Sequence, residues 1–449
     1  MVRASLLVFS FLIGSFFQGT GSCELHIKPN VLLITIDSLR TDHVGAWGYP
    51  LPTTPHIDRI AAEGTLFRNA ITQGGWTSPA IVSVFTSLYP SVHGVEAKPD
   101  QFPCAKNSLL FKWIQGGYQV PSYEKIDDEN NYSHLGFQAQ KNYAFDLDSL
   151  KNWLREHGST PFFCWYHINK TPHLPYNPTR PYDTLFLPST FSQDPSVEKR
   201  LERIRSKVII PKGTIELQQQ DSIPINALYD GEVRMADEAV HDLYTFLASE
   251  GLLERTILVI TADHGDELMD HGFIGHASTN WDGTLYEEII RVPLVLRYPP
   301  MFPAGRIIDE VVETIDIMPT LLESVGVQGM TWSQGRSLLE LINGKGPAWK
   351  SYAVSENSPC GYQCKAEDPS RNVRLVSIRS NRWKLIARQG PSETTFQFYD
   401  LQRDPHEKNN VIREYERTAE VYKDYLLSWY YENRIMRKAL VLDCSGDSK

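Results

Sequence analysis

Continuous runs of apolar residues recur along the chain, and two of them end on polar side chains. Residues 31–36 lead directly into Asp37, and residues 256–262 lead into Asp263 and His264. Runs rich in Val and Ile are typical of strands that are buried on both faces, as in parallel sheets. In open α/β sheets, ligands bind at the carboxyl ends of the strands. The pattern therefore predicts that two acids and an imidazole meet at one edge of a parallel sheet.

Helical patterns alternate with strand patterns as far as about residue 325. Helices are predicted at 55–64, 77–88, 226–250 and 317–325, and further strands at 161–168 and 292–297. Strands separated by helices favour a parallel sheet with helices on both faces. Residues 181–223 are long, polar and rich in Gln, and we interpret them as an insertion near the substrate side, with a helix at 196–207.

The character of the chain changes past Gly335. Short alternating segments at 373–379 and 383–387 suggest a small antiparallel sheet, and a terminal helix is predicted at 415–438. We therefore expect a C-terminal α+β subdomain over residues 336–449, with the helix packing back onto its sheet.

Composition is that of a globular protein. Of the 449 residues, 41% are apolar and 22% are charged, which is enough apolar material for a full core. The formal charge of −10 argues against nucleic acid as the main partner, because phosphate binding needs a basic surface. It leaves room for a locally positive pocket that binds one small anion.

The first 22 residues have the pattern of a secretory signal peptide. Arg3 precedes an apolar run at 6–17, and small residues follow at 19–22. The run is too short to span a bilayer, and no later stretch is long enough. We expect a secreted or extracytoplasmic protein with no transmembrane segment after signal removal. Lipid anchoring at Cys23 is the less favoured alternative.

Export would permit disulfides and glycosylation. Cys360 and Cys364 are spaced to close a small loop, although spacing alone does not determine how the cysteines pair. Asn131 and Asn169 begin sequons, which have meaning only in a eukaryotic secretory pathway.

The residues at the strand ends point to metal-assisted chemistry. Carboxylates of Asp37 and Asp263, with the imidazole of His264, can hold a divalent cation. One aspartate at a strand end is more often a turn or cap residue, but a pair with an adjacent histidine favours a metal site. Thr77 stands at a predicted helix start, where it is either an N-cap or a group facing an anion. Asp266 is interpreted as solvated or as a support for the ligands.

Several segments, in this order and spacing, resemble the sulfatase branch of the alkaline phosphatase superfamily. They are residues 36–43 with Gly45 and Gly48, 54–64, 261–266, 286–288 with 291–294, and 398–401 with Asp404-Pro405. The resemblance implies an α/β fold with a large mixed, mostly parallel sheet sandwiched by helices, like alkaline phosphatase, over residues 28–335. It also implies one divalent metal ion (Ca²⁺, Mg²⁺, Mn²⁺ or Zn²⁺), held by a site of Asp37, Asp263, His264 and Thr77.

The nucleophile position departs from the family pattern. The family signature reads Cys-x-Pro-x-Arg, and its Cys is oxidised to formylglycine; here Thr77 replaces the Cys and Ile81 replaces the Arg. Threonine can only attack directly, leaving a covalent ester that water must hydrolyse. That route suits phosphorus, because phosphoryl transfer needs mainly positioning and charge neutralisation. The family's usual second aspartate is Ser38 in this chain.

Two histidines fall on the family's substrate side. Residues 171–176 resemble the family's Pro-His-x-Pro-Tyr segment, which implies His173 as a general acid at the leaving group. His276 matches a position where the family has Lys or His against the anion's oxygens. An anion nearby raises the affinity of a histidine for its proton, which suits both roles.

We therefore expect a secreted, metal-dependent hydrolase of anionic esters, with phosphate or phosphonate esters favoured over sulfate esters and Thr77 as a metal-activated nucleophile. Its partner would be a small-molecule or glycan ester, not nucleic acid. One alternative is a sulfuric ester hydrolase proper that acts on sulfated glycans. Another is a catalytically silent paralogue that binds anionic glycans, although retention of the metal ligands argues against it.

Overall fold

The computed structural model describes residues 28–97, 100–102, 108–121, 135, 147–189, 191, 194–344, 349–365 and 369–446. The predicted signal peptide, Cys23 and the sequon at Asn131 lie outside the described residues. Within the described ranges, no helix has the length and apolar content needed to cross a membrane.

Twelve strands form the sheets of the described chain. They are Asn30–Ile36 (β1), Thr65–Ile71 (β2), Phe163–Ile168 (β3), Thr256–Ala262 (β4), Glu267–Leu268 (β5), Ile274–Gly275 (β6), Arg291–Arg297 (β7), Arg306–Glu313 (β8), Ala353–Asn357 (β9), Arg374–Arg379 (β10), Trp383–Gln389 (β11) and Thr394–Asp400 (β12).

The largest sheet has six strands in the order β3-β1-β4-β7-β2-β8. β1 pairs in parallel with β3 and β4, and β2 pairs in parallel with β8, whereas β7 runs antiparallel to both of its neighbours. The sheet is therefore mixed and mostly parallel, as expected. Every residue of β1 and β4 is buried, which explains their continuous apolar sequences.

The helices run over Pro55–Ala62 (α1), Thr77–Thr86 (α2), Pro90–His93 (α3), Leu109–Gln115 (α4), Leu147–His157 (α5), Pro195–Ser206 (α6), Ser222–Ser249 (α7), Ala277–Asn280 (α8), Glu287–Ile290 (α9), Ile317–Ser324 (α10), Leu339–Ile342 (α11) and Glu416–Gly446 (α12). The four predicted helices of the large domain correspond to α1, α2, α7 and α10, and the predicted insertion helix to α6. α7 begins four residues before the predicted start, with Pro224 in its first turn, where proline is tolerated.

The C-terminal part is a four-stranded antiparallel sheet in the order β12-β11-β10-β9, and α12 packs against it. The sheet and the terminal helix agree with expectation. Glu356 of β9 donates its backbone N–H to Gln73 O at 2.9 Å, so this sheet touches the loop that leads into α2. The domain boundary at residues 335/336 stays a prediction.

The hydrophobic pattern missed several strands, and three of them, β2, β8 and β9, show why. β8 is a sheet edge with four of its eight residues at least partly exposed, and β2 carries polar Arg68 and Asn69 where its pairing with β8 shifts register. β9 contains buried Ser355 and Glu356, so it lacks an apolar run. Cys360 and Cys364 form the disulfide for which their spacing is suited, and Cys164 is a buried free thiol.

Candidate active site at the carboxyl edge of the sheet

Asp37 and Asp263 follow directly after two neighbouring strands in register, because Ile36 of β1 pairs with Ala262 of β4. Asp263 Oδ1 accepts backbone N–H groups from Ser38 at 3.2 Å and from His264 at 2.9 Å. Asp263 Oδ2 is buried and has no hydrogen-bond partner within the described part of the chain. The Ser38 hydroxyl donates to Asp37 Oδ1 at 3.0 Å. The two carboxylates are thus oriented by their own strand ends.

His264 places its second ring nitrogen between these carboxylates. Its Nδ1 donates to Gly265 O at 2.8 Å, which leaves Nε2 with the lone pair. His264 Nε2 lies 3.5 Å from Asp37 Oδ1 and 3.4 Å from Asp263 Oδ2. The imidazole is fully buried, so its orientation is set by packing as well as by this hydrogen bond.

Thr77 completes the group. It is the first residue of α2, and Trp76, not Thr77, occupies the N-cap position. Its Oγ1 lies 3.2 Å from His264 Nε2, the ring atom that also lies beside both carboxylates. The loop before α2 lies close to β9, since a Cβ on Gly75 would meet Asn357 Nδ2 at 2.3 Å. The structure therefore brings together all four residues for which the sequence predicts a shared site.

The donor set fits a divalent cation. Metal–ligand bonds of about 2.0 to 2.2 Å place neighbouring ligand atoms roughly 3 to 3.5 Å apart, close to the observed separations around His264 Nε2. Asp263 Oδ2, which has no hydrogen-bond partner among the residues that the structure describes, is the kind of buried oxygen that a cation would satisfy. Burial, and next the adjacent charge of Asp263, raise the pKa of Asp37 well above its ordinary value. A cation would offset that repulsion.

His173 and His276 stand beside this group. Their ring centroids are 5.3 Å apart, and that of His276 is 4.4 Å from that of His264. Burial, followed by the neighbouring His264 and His173, lowers the pKa of His276 well below its ordinary value. In the protein alone, His276 therefore lacks the raised affinity for a proton that is expected beside an anion. Nδ1 of His173 pairs with Leu174 O, which leaves its Nε2 available.

Asp266 is not solvated; it is fully buried and orients His276. Its Oδ1 lies 3.0 Å from His276 Nδ1, and its Oδ2 accepts the hydroxyl of Tyr176 at 2.5 Å. Burial raises the pKa of Asp266 to about 6. A hydrogen bond from His276 Nδ1 to this carboxyl keeps Nε2 as the ring atom that faces other groups.

Sequence reasoning missed two residues at this edge. Glu232 of α7 is buried and accepts the backbone N–H groups of His173 at 3.1 Å and Asn177 at 2.7 Å, so it holds the loop that carries His173. His167, near the end of β3, is also buried, and one of its ring nitrogens lies within 4.8 Å of an oxygen of Asp37 and an oxygen of Asp263. A histidine inside an otherwise apolar strand was the available signal for His167. Glu232 had none, because its partners are 55 or more residues away in sequence.

The buried carboxyl of Glu232 makes the free energy of unfolding depend on pH. Burial raises its pKa from an ordinary 4.5 to about 8, so between these values the folded protein binds more protons than the unfolded chain. The free energy of unfolding should therefore fall as pH rises from 5 to 8. Glu232→Gln removes this titration. We expect the stability of the natural protein relative to the variant to drop by about 2 to 4 kcal/mol over that range, measured by urea unfolding. A difference in unfolding free energy between the two proteins that stays constant from pH 5 to 8 would contradict the raised pKa of Glu232.

The chain is similar to known proteins over most of its length. The family model described as Sulfatase matches residues 29–327, and that described as N-sulphoglucosamine sulphohydrolase, C-terminal, matches residues 280–428. An arylsulfatase from Clostridium perfringens is 24% identical over 94% of this chain and 95% of its own length. An N-acetylglucosamine-6-O-sulfatase from Bacteroides thetaiotaomicron is 24% identical, with coverages of 86% and 83%. The solved phosphonate monoester hydrolase of Agrobacterium radiobacter has a TM-score of 0.72 at 22% identity, with coverages of 90% and 96%.

Proposed function

Because this chain belongs to the sulfatase family and is an ester hydrolase of that type, we propose that it cleaves phosphate or phosphonate esters with Thr77 as the nucleophile. Asp37, Asp263 and His264 would hold one divalent cation next to it. The observation that carries the proposal is the approach of Thr77 Oγ1 to 3.2 Å from His264 Nε2, beside both carboxylates.

A bound cation would lower the pKa of a nearby hydroxyl and neutralise charge on the ester. The hydroxyl proton of Thr77 passes to water, Thr77 Oγ1 attacks phosphorus, the bond from phosphorus to the leaving oxygen breaks, and a phosphoryl ester of Thr77 forms. Water then hydrolyses that ester and restores the hydroxyl. α2 begins at Thr77, and the positive end of its helix dipole favours an anion at this position.

His173 and His276 would protonate the leaving oxygen and orient the anion. In both rings Nδ1 is engaged, by Leu174 O and by Asp266 Oδ1, so Nε2 is the atom left for the ester. A negatively charged ester beside these rings would raise their affinity for a proton. A protonated ring would then supply the proton that the leaving oxygen takes as its bond to phosphorus breaks.

Asp266→Asn tests whether His276 depends on its carboxyl partner. The asparagine side chain carries no charge, so its hydrogen bond from His276 Nδ1 is weaker than that of the carboxylate. We expect kcat to fall by about 10²-fold, since general acid–base groups contribute about 10² to 10⁴. Esters with poor leaving groups should be affected more than nitrophenyl esters. Tyr176→Phe, which removes only the other hydrogen bond to Asp266, is the matched control and should cost less. Equal loss in both variants would show that Asp266 only supports packing.

The choice of substrate is tested directly with aryl phosphate mono- and diesters, an aryl phosphonate monoester and an aryl sulfate. We expect the phosphorus esters to have the higher kcat/KM. The phosphonate monoester hydrolase of the same fold supports this choice. Faster turnover of the aryl sulfate than of every phosphorus ester would contradict it.

Hydrolysis of sulfate esters on glycans is the second candidate. It is supported by the relative that is an N-acetylglucosamine-6-O-sulfatase and by the C-terminal match to the N-sulphoglucosamine sulphohydrolase family. The alternative of a catalytically silent paralogue is disfavoured because the side chains of Asp37, Thr77, Asp263 and His264 still lie together at one site. We further propose that the protein acts outside the cytoplasm, which the Cys360–Cys364 disulfide supports.

A further inference from the structure

A second histidine lies against the carboxylate pair, on a strand that the proposed mechanism does not use. His167 belongs to β3, where it pairs in register with Thr35 of β1. Side chains alternate along a strand, so Thr35 and Asp37 share a face of the sheet, and His167 lies on that same face. Only 4% of His167 is exposed, so the imidazole is removed from water.

The ring of His167 reaches both acids. One of its nitrogens, one oxygen of Asp37 and one oxygen of Asp263 all lie within 4.8 Å of one another. Among the described residues this is the one such group in which every member is buried. The strand order β3-β1-β4 explains the arrangement, because three adjacent parallel strands deliver one side chain each to the same edge.

Thr35 fixes which nitrogen is available. His167 Nδ1 lies 2.8 Å from Thr35 Oγ1, and the same oxygen accepts the indole N–H of Trp165 at 2.8 Å. A ligating histidine usually donates its other ring N–H to a fixed acceptor, which sets the tautomer and the ring orientation. With Nδ1 turned to Thr35, Nε2 is left for the carboxylate pair.

We propose that His167 is a further ligand of the cation, an inference that rests on the cation of the proposed function. The complete set is then two carboxylates, two imidazoles and the Thr77 hydroxyl. Two nitrogen ligands favour Zn²⁺ over Mg²⁺, Ca²⁺ and Mn²⁺, which prefer oxygen ligands. The site is therefore expected to select Zn²⁺ among the four candidate ions.

Metal affinity tests the proposal without any measurement of turnover. Metal-free protein is titrated with Zn²⁺ in competition with a chromophoric chelator, and separately with Mg²⁺. We expect the natural protein to prefer Zn²⁺, and His167→Ala to weaken Zn²⁺ binding by at least about 100-fold, since even losing a partner of a ligand costs about 10- to 100-fold. His173→Ala removes a histidine next to the site that is not a ligand, and should leave Zn²⁺ affinity within about threefold.

His167→Gln keeps a polar side chain at the position and should lose Zn²⁺ affinity as His167→Ala does. Unchanged affinity in both variants would overturn the proposal and leave His167 as a buried residue satisfied by Thr35. If neither variant folds, X-ray absorption at the zinc edge of the loaded natural protein decides. Scattering from two imidazoles supports His167 as a ligand, and scattering from one overturns it. A protein that binds Zn²⁺ in this way but hydrolyses no ester would count against the proposed function alone.

Discussion

Thr77→Ala is expected to lower kcat for the best ester by about 10⁴-fold or more, because removal of a nucleophile leaves only binding and charge stabilisation. Zn²⁺ should still bind, since the two carboxylates and His264 remain. Thr77→Ser is the matched control. It keeps the hydroxyl 3.2 Å from His264 Nε2, and we expect it to retain turnover within about tenfold of the natural protein.

The covalent step gives this prediction a second measurement. Acid quenching during turnover of a phosphate ester should trap a phosphoryl group on the peptide that contains residue 77, detectable by mass spectrometry. The Thr77→Ala protein should show no such peptide. Turnover that survives in Thr77→Ala would assign the attack to another group, and Ser78 is the adjacent hydroxyl to examine.

Asp263→Asn is expected to abolish metal-dependent stabilisation while leaving the metal-free protein folded. The amide oxygen can still accept from Ser38 N and His264 N, as Oδ1 does now. The amide nitrogen replaces Oδ2, the oxygen that has no partner within the described residues. Against the effect of burial, the neighbouring ring of His264, and next that of His167, lowers the pKa of Asp263, so the substitution removes a ligand that is charged at neutral pH.

Thermal unfolding with a chelator and with excess Zn²⁺ measures both effects. A ligand at 100 to 1,000 times its Kd stabilises the natural protein by about 2.7 to 4.1 kcal/mol, whereas the variant should gain almost nothing. Asp237→Asn is a suitable control, because Asp237 is another buried aspartate that accepts two backbone N–H groups, from His56 and Ile57. It should keep the full response to Zn²⁺. An equal response in Asp263→Asn would remove Asp263 from the ligand set.

The strand ends could be predicted from sequence because their signal is local. A strand buried on both faces must be apolar throughout, so the polar residue that follows marks its end, as Asp37 and Asp263 do. Edge strands have no such constraint. β8 is half exposed and reads as a charged loop, which is why its place beside β2 could not be predicted.

The roles of the residues that support the site depend on tertiary contacts and could not be predicted from a local pattern. The sequence around Asp266 is consistent with either a solvated acid or one that supports the ligands, and only its burial against His276 and Tyr176 decides between the two. Glu232 stands in the middle of a long helix, where an acid is ordinarily solvent-exposed. Its contact with the loop of His173 depends on how α7 packs against that loop.

The amino-acid sequence by itself determined the alternating elements and the two acids at strand ends, and it predicted Thr77 as the nucleophile. These are properties of short segments, set by periodicity and by side-chain chemistry. Only the tertiary structure decided that β1 lies between β3 and β4, because pairing between distant segments depends on how the whole sheet packs. That order brings His167 to the acids and turns separate motifs into one site.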